Sequence, residues 1–210
     1  ITNYFNYQEE IKLNSFLEDY FSIINEYIKK EPMFSEYEEN EINNIQLQIE
    51  NFIHAQIYNK IFNTKPDGTD KRIADICEKY KWIKPQNLCA ELKYVDDKMI
   101  QIMIYFAKNM VNEMCPANKV NEFEKIDMIV NNIIILNGFD PSVYNNLMIY
   151  VFIKSKPALL NSVWRYIKLY LDDKLIAPYS KLLDKIGQLI KNLSYFNEKL
   201  LVGDMKKGKK

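Results

Sequence analysis

Few side chains in this sequence can do acid–base or metal chemistry. His54 is the only histidine among 210 residues, so a His-based catalytic triad or a multi-histidine metal site has no material. We expect His54 to lie on a helix face in a structural or surface role. The adjacent carboxylates Asp96 and Asp97 precede an apolar helical pattern. They are expected to cap that helix rather than to form an acid–base pair.

The cysteines and glycines exclude further classes of site. Cys77, Cys89 and Cys115 form an odd set without Cys-x-x-Cys spacing. This pattern disfavours a disulfide framework or a zinc site, and it favours a reducing, intracellular compartment. The sequence has no glycine-rich phosphate-binding motif, so we do not expect it to bind nucleotide phosphates itself. We predict no cofactor and no metal ion.

The net charge and the length of the apolar runs limit the classes of partner that we expect. Basic and acidic residues number 28 each, giving a formal net charge of zero. A nucleic-acid binder usually carries a basic excess, so we predict no nucleic-acid partner. The longest apolar run, 147–153, covers about a third of a bilayer span, so we predict no transmembrane segment. No signal peptide opens the sequence, and its start at Ile1 without Met indicates an excised fragment.

Helical periodicity covers most of the chain and positions these residues. Five glycines and seven prolines are too few for the many tight turns of a sandwich or barrel. The pattern over 96–114 is apolar nearly all round, which predicts a central, buried helix. We predict an all-α fold with roughly eight or nine helices. The predicted helices cover about 16–30, 41–62, 69–80, a short stretch from Pro85, 96–114, 116–136, 141–155, 156–171 and 178–193.

Capping and helix-breaking residues are expected to set the ends of these helices. The clearest loop is 63–69, where Pro66 and Gly68 break the helical pattern. Thr69 or Asp70 is expected to cap the helix that follows this loop. Gly138 is expected to end the helix 116–136, because glycine commonly follows a helix.

An ordered set of short motifs between residues 47 and 194 resembles the Vps-nine (vacuolar protein sorting) domain. No single motif is specific, whereas their order and spacing are. The motifs are Glu50–Phe62, Trp82–Leu88, Cys115–Lys119 (with Asn118 at the usual Asp), Leu147–Lys154, Ser162–Ile167, Tyr179 and Ile190–Leu193. The resemblance implies a layered array of helices. It predicts an N-terminal helical segment (1–40), a Vps-nine-like domain (41–195) and a basic, disordered tail (196–210).

The resemblance also implies a function. Vps-nine domains are guanine nucleotide exchange factors for early-endosomal Rab GTPases. The expected activity is release of GDP from a Rab-type small GTPase in endocytic and vacuolar vesicle trafficking, without covalent chemistry. The expected location is cytoplasmic and peripheral to endosomes, with membrane association through regions outside this sequence. In the family, an acidic loop residue enters the GTPase nucleotide site, and a tyrosine contacts the switch region.

The family's functional positions carry over with two departures. Tyr166 takes the position of the catalytic tyrosine. The family's acidic position falls on Ser142, and its proline falls on Asn146. Asp140, two residues before Ser142, is the nearby carboxylate and therefore the candidate catalytic acid. The candidate GTPase-binding positions are Ser142, Asn146, Tyr150 and Val163, the last standing where the family has Asn.

Structural alternatives remain open for these residues. Asp140 precedes Pro141, so it suits an ordinary helix cap as well as a catalytic role. Tyr166 suits core packing as well as a GTPase contact. The chain is therefore also compatible with a catalytically weakened module that binds a Rab or another trafficking partner as an effector or scaffold. A charged groove between the helices of Tyr150 and Tyr166 would instead favour a structural protein unrelated to Rabs.

Overall fold

The computed structural model describes residues 7–62, 65–171 and 173–202, without the side chains of 7–11 and 173–175. Within these ranges the chain forms eight α-helices and no β-strand, which confirms the predicted all-α fold. The helices are α1 (Tyr7–Lys30), α2 (Glu39–Ile61), α3 (Gly68–Lys79), α4 (Asp97–Asn112), α5 (Pro116–Asn137), α6 (Val143–Ser155), α7 (Leu160–Tyr170) and α8 (Asp173–Ser194). Short 3₁₀ turns lie at Pro32–Phe34, Pro85–Asn87, Ala90–Tyr94 and Glu198–Leu200.

Helix α6 is the central helix of the fold. All seven residues from Leu147 to Ile153 are buried, and α3, α4, α5 and α8 pack around them. The predicted central position of the helix 96–114 was wrong. Helix α4 exposes Met99, Ile102 and Tyr105, because it packs with one face on α5 and α6. No helix in the described ranges combines the length and apolar character needed to cross a bilayer.

Two aspartates organise the start of α3 and of α7. Asp67, rather than Thr69 or Asp70, caps α3, because its Oδ1 accepts 2.8 Å hydrogen bonds from the backbone N–H groups of Thr69 and Asp70. Asp70 is fully buried and reaches across to α7. Its Oδ1 accepts from the backbone N–H of Asn161 at 2.7 Å, and its Oδ2 accepts from the Ser162 hydroxyl. A carboxylate on α3 therefore fixes the beginning of α7.

Helix ends were predicted with mixed success. Gly138 ends α5 in the left-handed conformation (φ 62°), which confirms the predicted stop. Helix α8 begins at Asp173, five residues before the predicted start at Pro178, so the proline lies inside the helix.

The two ends of the described chain pack onto the core. Helix α1 contacts α2 and α7 and contributes Leu17 and Phe21 to the same hydrophobic core. Phe196 is buried edge-on against Tyr80, with ring centroids 4.9 Å apart. The folded chain thus continues to residue 202, past the predicted boundary at 195. Residues 203–210 of the predicted tail, and residues 63 and 64 of the predicted loop, lie outside the described residues.

Candidate functional site

Asp140 lies exposed in the short turn between α5 and α6. Its Oδ1 accepts a 2.8 Å hydrogen bond from the backbone N–H of Ser142. This bond lies in the turn before α6, which begins at Val143 without a side-chain cap, so Asp140 does not form the predicted helix cap. Hydrogen bonds from the Ser142 hydroxyl and backbone hold the pKa of Asp140 below its ordinary value. The carboxylate is therefore charged at neutral pH and accessible to a partner.

Other predicted contact residues lie beside Asp140. Ser142 is exposed and Asn146 is half-buried on the first turns of α6. Ile135 and Leu136, at the end of α5, are 74% and 83% exposed. We call these five residues (Ile135, Leu136, Asp140, Ser142 and Asn146) the Asp140 surface. It combines one fixed negative charge with two large apolar side chains.

Tyr150 and Val163 do not belong to this surface. Tyr150 is buried on α6, where burial raises the pKa of its hydroxyl. Val163 is fully buried on α7. Neither side chain can contact a partner in this conformation, which contradicts the binding role that the sequence suggested for them. Helical spacing in the sequence does not reveal which face of a helix the neighbouring helices cover.

Tyr166 is also inside the protein, with 4% of its surface exposed. Its hydroxyl donates to the Met114 carbonyl at 2.9 Å and lies 3.2 Å from His54 Nδ1. Burial raises the pKa of this hydroxyl well above its ordinary value. The packing alternative therefore describes Tyr166, and a direct contact with a partner is incompatible with this conformation.

A buried lysine lies beside Tyr166 and was not among the predicted site residues. Lys119 Nζ donates to the carbonyls of Met110 and Val111, at 3.2 and 3.0 Å. These carbonyls belong to the last turn of α4, where a cation is favoured. The ammonium also lies 5.8 Å from the Tyr166 ring, and burial lowers the pKa of Lys119 to about 7. The available signal was the position of Lys119 in the Cys115–Lys119 motif, on the first turn of the predicted helix 116–136.

A second polar cluster ties α6 to α5 and α8. Asp127 Oδ1 accepts from the Tyr144 hydroxyl and from Lys185 Nζ, the latter at 2.6 Å. Asn131 Nδ2 donates to Asp127 Oδ2 at 3.0 Å. Because Tyr144 lies on the first turn of α6, this cluster fixes the helix end that carries the Asp140 turn. No local pattern in the sequence predicted that these four residues would meet.

Two cavities of about 300 Å³ each flank the end of α7. One, which we call the cationic cavity, lies between the end of α2 and α7; the other lies beneath α1. Neither is lined by a residue of α6, so neither is the groove expected between the helices of Tyr150 and Tyr166. The cationic cavity is lined by residues that include Phe62, Lys65, Asp67, Arg165, Lys168 and Tyr170. The cavity beneath α1 is lined by residues that include Phe21, Asn25, Glu26, Glu50, His54 and Tyr170.

Neither a search for metal sites nor comparison with known proteins assigns a function to this chain. Across the described ranges, no group of three or more His, Cys, Asp or Glu side chains is placed to hold a metal ion. No protein-family model matches this chain, and comparison with curated proteins gives no match. A function must therefore be inferred from the residues themselves.

Proposed function

We propose that this chain binds a Rab-type small GTPase through the Asp140 surface and promotes the release of its GDP. The observation that carries the proposal is the exposed, charged carboxylate of Asp140, held in a short turn four residues after the exposed Leu136. The ordered motifs that resemble the Vps-nine domain support the choice of partner. In that family an acidic residue of this same loop enters the GTPase nucleotide site.

The proposed mechanism uses the charge and rigidity of the turn. Asp140 would pair with the phosphate-binding lysine of the GTPase and so compete with the Mg²⁺ ion and the phosphates. An acceptor that is already held by the Ser142 N–H needs little ordering when it binds. Ile135 and Leu136 add apolar area next to the charge. Exchange of this kind places the protein in the cytoplasm, at the surface of endosomes.

A second candidate function is GTPase binding without efficient exchange. It is favoured by the neutral Ser142 at the family's acidic position and by the internal use of the Tyr166 hydroxyl. A charged hydrogen bond contributes about 1.5–3 kcal/mol, against about 1 kcal/mol for a neutral one. At about 1.4 kcal/mol per tenfold in rate, Ser142 alone would lower exchange by about twofold to about thirtyfold. Such a domain would act as an effector or scaffold.

Release of a fluorescent GDP analogue from a panel of early-endosomal-type Rab proteins tests both candidates. Asp140→Asn removes the charge and keeps the oxygen that accepts from the Ser142 N–H. We expect the wild-type domain to accelerate release from at least one Rab, and Asp140→Asn to lose about tenfold or more of that acceleration. Asp96→Asn is the matched control, because the exposed Asp96 also accepts from the backbone N–H two residues later, that of Lys98 at 2.9 Å.

The outcomes separate the candidates. Acceleration that Asp140→Asn abolishes and Asp96→Asn preserves supports exchange through Asp140. Stable binding to a nucleotide-free or GTP-loaded Rab without acceleration supports the effector or scaffold function. Neither acceleration nor a complex with any member of the panel rejects a GTPase partner altogether.

A further inference from the structure

The cationic cavity has an apolar wall and a charged rim. Phe62, Tyr166 and Tyr170 contribute aromatic surface to its wall. Arg165 and Lys168 bring two positive charges to its rim, where Asp67 carries one negative charge. Ligand sites commonly combine apolar walls with a few convergent polar groups, and a volume of about 300 Å³ suits a small ligand.

Arg165 is the most specific part of this rim. The sequence contains only two arginines, Arg72 and Arg165. A guanidinium presents a planar fork of donors that matches a phosphate group. Arg165 is largely exposed and lies 4.0 Å from Asp67, the outer limit of an ion pair. Lys168 follows three residues later, and this spacing puts both cations on the same face of α7.

Asp67 offsets only part of the positive charge of this rim. Its Oδ1 accepts from the N–H groups of Thr69 and Asp70, and its Oδ2 accepts from Asn161 Nδ2 at 2.7 Å. It also sits at the beginning of α3, where the helix dipole favours a negative charge. The hydrogen-bonding capacity of the carboxylate thus serves internal donors, and its contact with Arg165 is only a long ion pair.

We propose that the cationic cavity binds a phosphate monoester that carries an apolar, preferably aromatic, group. A phosphate monoester carries about −1.5 to −2 charges at neutral pH and has three acceptor oxygens, so one phosphate can pair with both Arg165 and Lys168. The phosphate contacts Arg165 and Lys168, and the apolar group packs on Phe62 and Tyr170. This site is separate from the proposed GTPase surface, because no residue of the α5–α6 turn lines the cavity.

Phenyl phosphate is the first probe, titrated by calorimetry against the whole chain. We expect saturable binding at one site, with weaker binding of inorganic phosphate and none of phenol at the same concentrations. Arg165→Gln and Lys168→Gln are each expected to weaken phenyl phosphate binding by about tenfold or more. Arg72→Gln removes the other arginine, which is exposed on α3, and is expected to leave affinity unchanged.

Three results would overturn the site. They are no binding of phenyl phosphate, equal binding of inorganic and phenyl phosphate, and binding that Arg165→Gln and Lys168→Gln do not weaken. Thermal unfolding of each variant separates lost binding from lost folding. Because both cations are exposed, folding is expected to be unaffected.

A vesicle assay then distinguishes a membrane lipid from a soluble ester as the source of the phosphate group. Phosphatidylcholine vesicles that contain phosphatidic acid present a phosphate monoester on an apolar anchor. If the protein is retained on these vesicles and Arg165→Gln abolishes the retention, the source is a lipid headgroup. If phenyl phosphate binds but the vesicles do not retain the protein, the source is a soluble ester, and both results support the site. If Arg165→Gln leaves retention intact, or phosphatidylserine vesicles of equal charge give the same retention, vesicle binding is due to surface charge and a lipid ligand at this site is contradicted.

Discussion

At the scale of single residues, the hydroxyl of Tyr166 illustrates how a residue expected at an interface can serve the core. It has one hydrogen, which it donates to the Met114 carbonyl. Its oxygen therefore accepts from His54 Nδ1, 3.2 Å away, which fixes the Nδ1–H tautomer of a neutral imidazole. The hydrogen bonds between these three residues link α2, α7 and the loop between α4 and α5.

Tyr166→Phe is expected to destabilise the protein by roughly 1–3 kcal/mol. The change leaves the Met114 carbonyl and the His54 N–H without their partner, and the His54 side chain is buried. Urea unfolding measures the loss. Tyr105→Phe, on the exposed face of α4, is the control and should stay within about 0.5 kcal/mol of wild type. A destabilisation no larger than that of the control would show that the Tyr166 hydroxyl is not needed inside the core.

His54 is expected to make stability fall as the pH drops from about 6.5 to about 4. Burial lowers the pKa of His54 to about 4, whereas the unfolded chain keeps a value near 6.5. Between these values the unfolded state binds more protons, so acid favours unfolding. At about 1.4 kcal/mol per pKa unit, the loss approaches 3 kcal/mol at the acid end. Urea unfolding across this range measures it.

The difference between wild type and His54→Gln isolates this contribution from that of the carboxylates. Lys119 does not interfere, because the lowered pKa of about 7 changes stability only between about pH 7 and its unfolded value. Since His54 is the only histidine, its proton NMR signals report its pKa directly. A measured pKa near 6.5 would contradict the burial of this side chain.

At the scale of secondary-structure elements, the end of α5 sets the geometry of the Asp140 turn. Gly138 adopts φ 62°, and the N–H of Phe139 bonds to the Ile134 carbonyl at 3.0 Å. A residue with a Cβ atom pays about 1–2 kcal/mol in this left-handed region. The chain can therefore reverse direction within a few residues and begin α6 at Val143.

Gly138→Ala is expected to lower stability by about 1 kcal/mol or more. No atom lies within 4 Å of an added Cβ, so the cost is backbone strain alone. Gly68→Ala is the matched control, since Gly68 also has open space but no left-handed backbone. It should be neutral or stabilising by up to about 1 kcal/mol. Chemical denaturation of both variants measures the contrast, and equal effects would refute the strain argument.

At the scale of the whole molecule, α1 presents two different faces. Leu17 and Phe21 pack into the core shared with α2 and α7, and the Phe21 ring lies 5.8 Å from the His54 ring. On an adjoining face of the helix, Phe16, Tyr20, Ile23 and Tyr27 are exposed. Both faces are apolar, so apolar character alone does not identify the face of α1 that joins the core.

Phe21→Ala is expected to cost roughly 3–5 kcal/mol, the usual range for removing a buried phenylalanine. It should also raise the His54 pKa towards 6.5, because the imidazole loses part of its apolar cover. Phe16→Ala, at a position 63% exposed, should change neither quantity. Denaturation and histidine NMR on the two variants test this packing. Indistinguishable effects would mean that α1 does not dock through Phe21.

Apolar periodicity and helix-terminating residues determined the secondary-structure elements of this fold, because both are properties of short sequence segments. Apolar spacing predicted the helices, and the stops at Pro32 and Gly138 follow from backbone constraints on single residues. The hydrogen bond of Asp140 in the turn before α6 was likewise suggested by Asp before Pro, although it does not cap the helix. Helix α8 was the local failure, since it begins at Asp173 and contains Pro178.

Burial was decided only by the tertiary structure, and with it the content of the candidate site. The sequence identified six candidate residues but could not show which of them are accessible to a partner. They are Asp140, Ser142, Asn146, Tyr150, Val163 and Tyr166. Packing left the first three accessible and enclosed the other three. It also brought Lys119 to the last turn of α4, and Arg165 and Lys168 to one cavity. Local sequence encodes what a segment can form, whereas accessibility depends on neighbours that are distant along the chain.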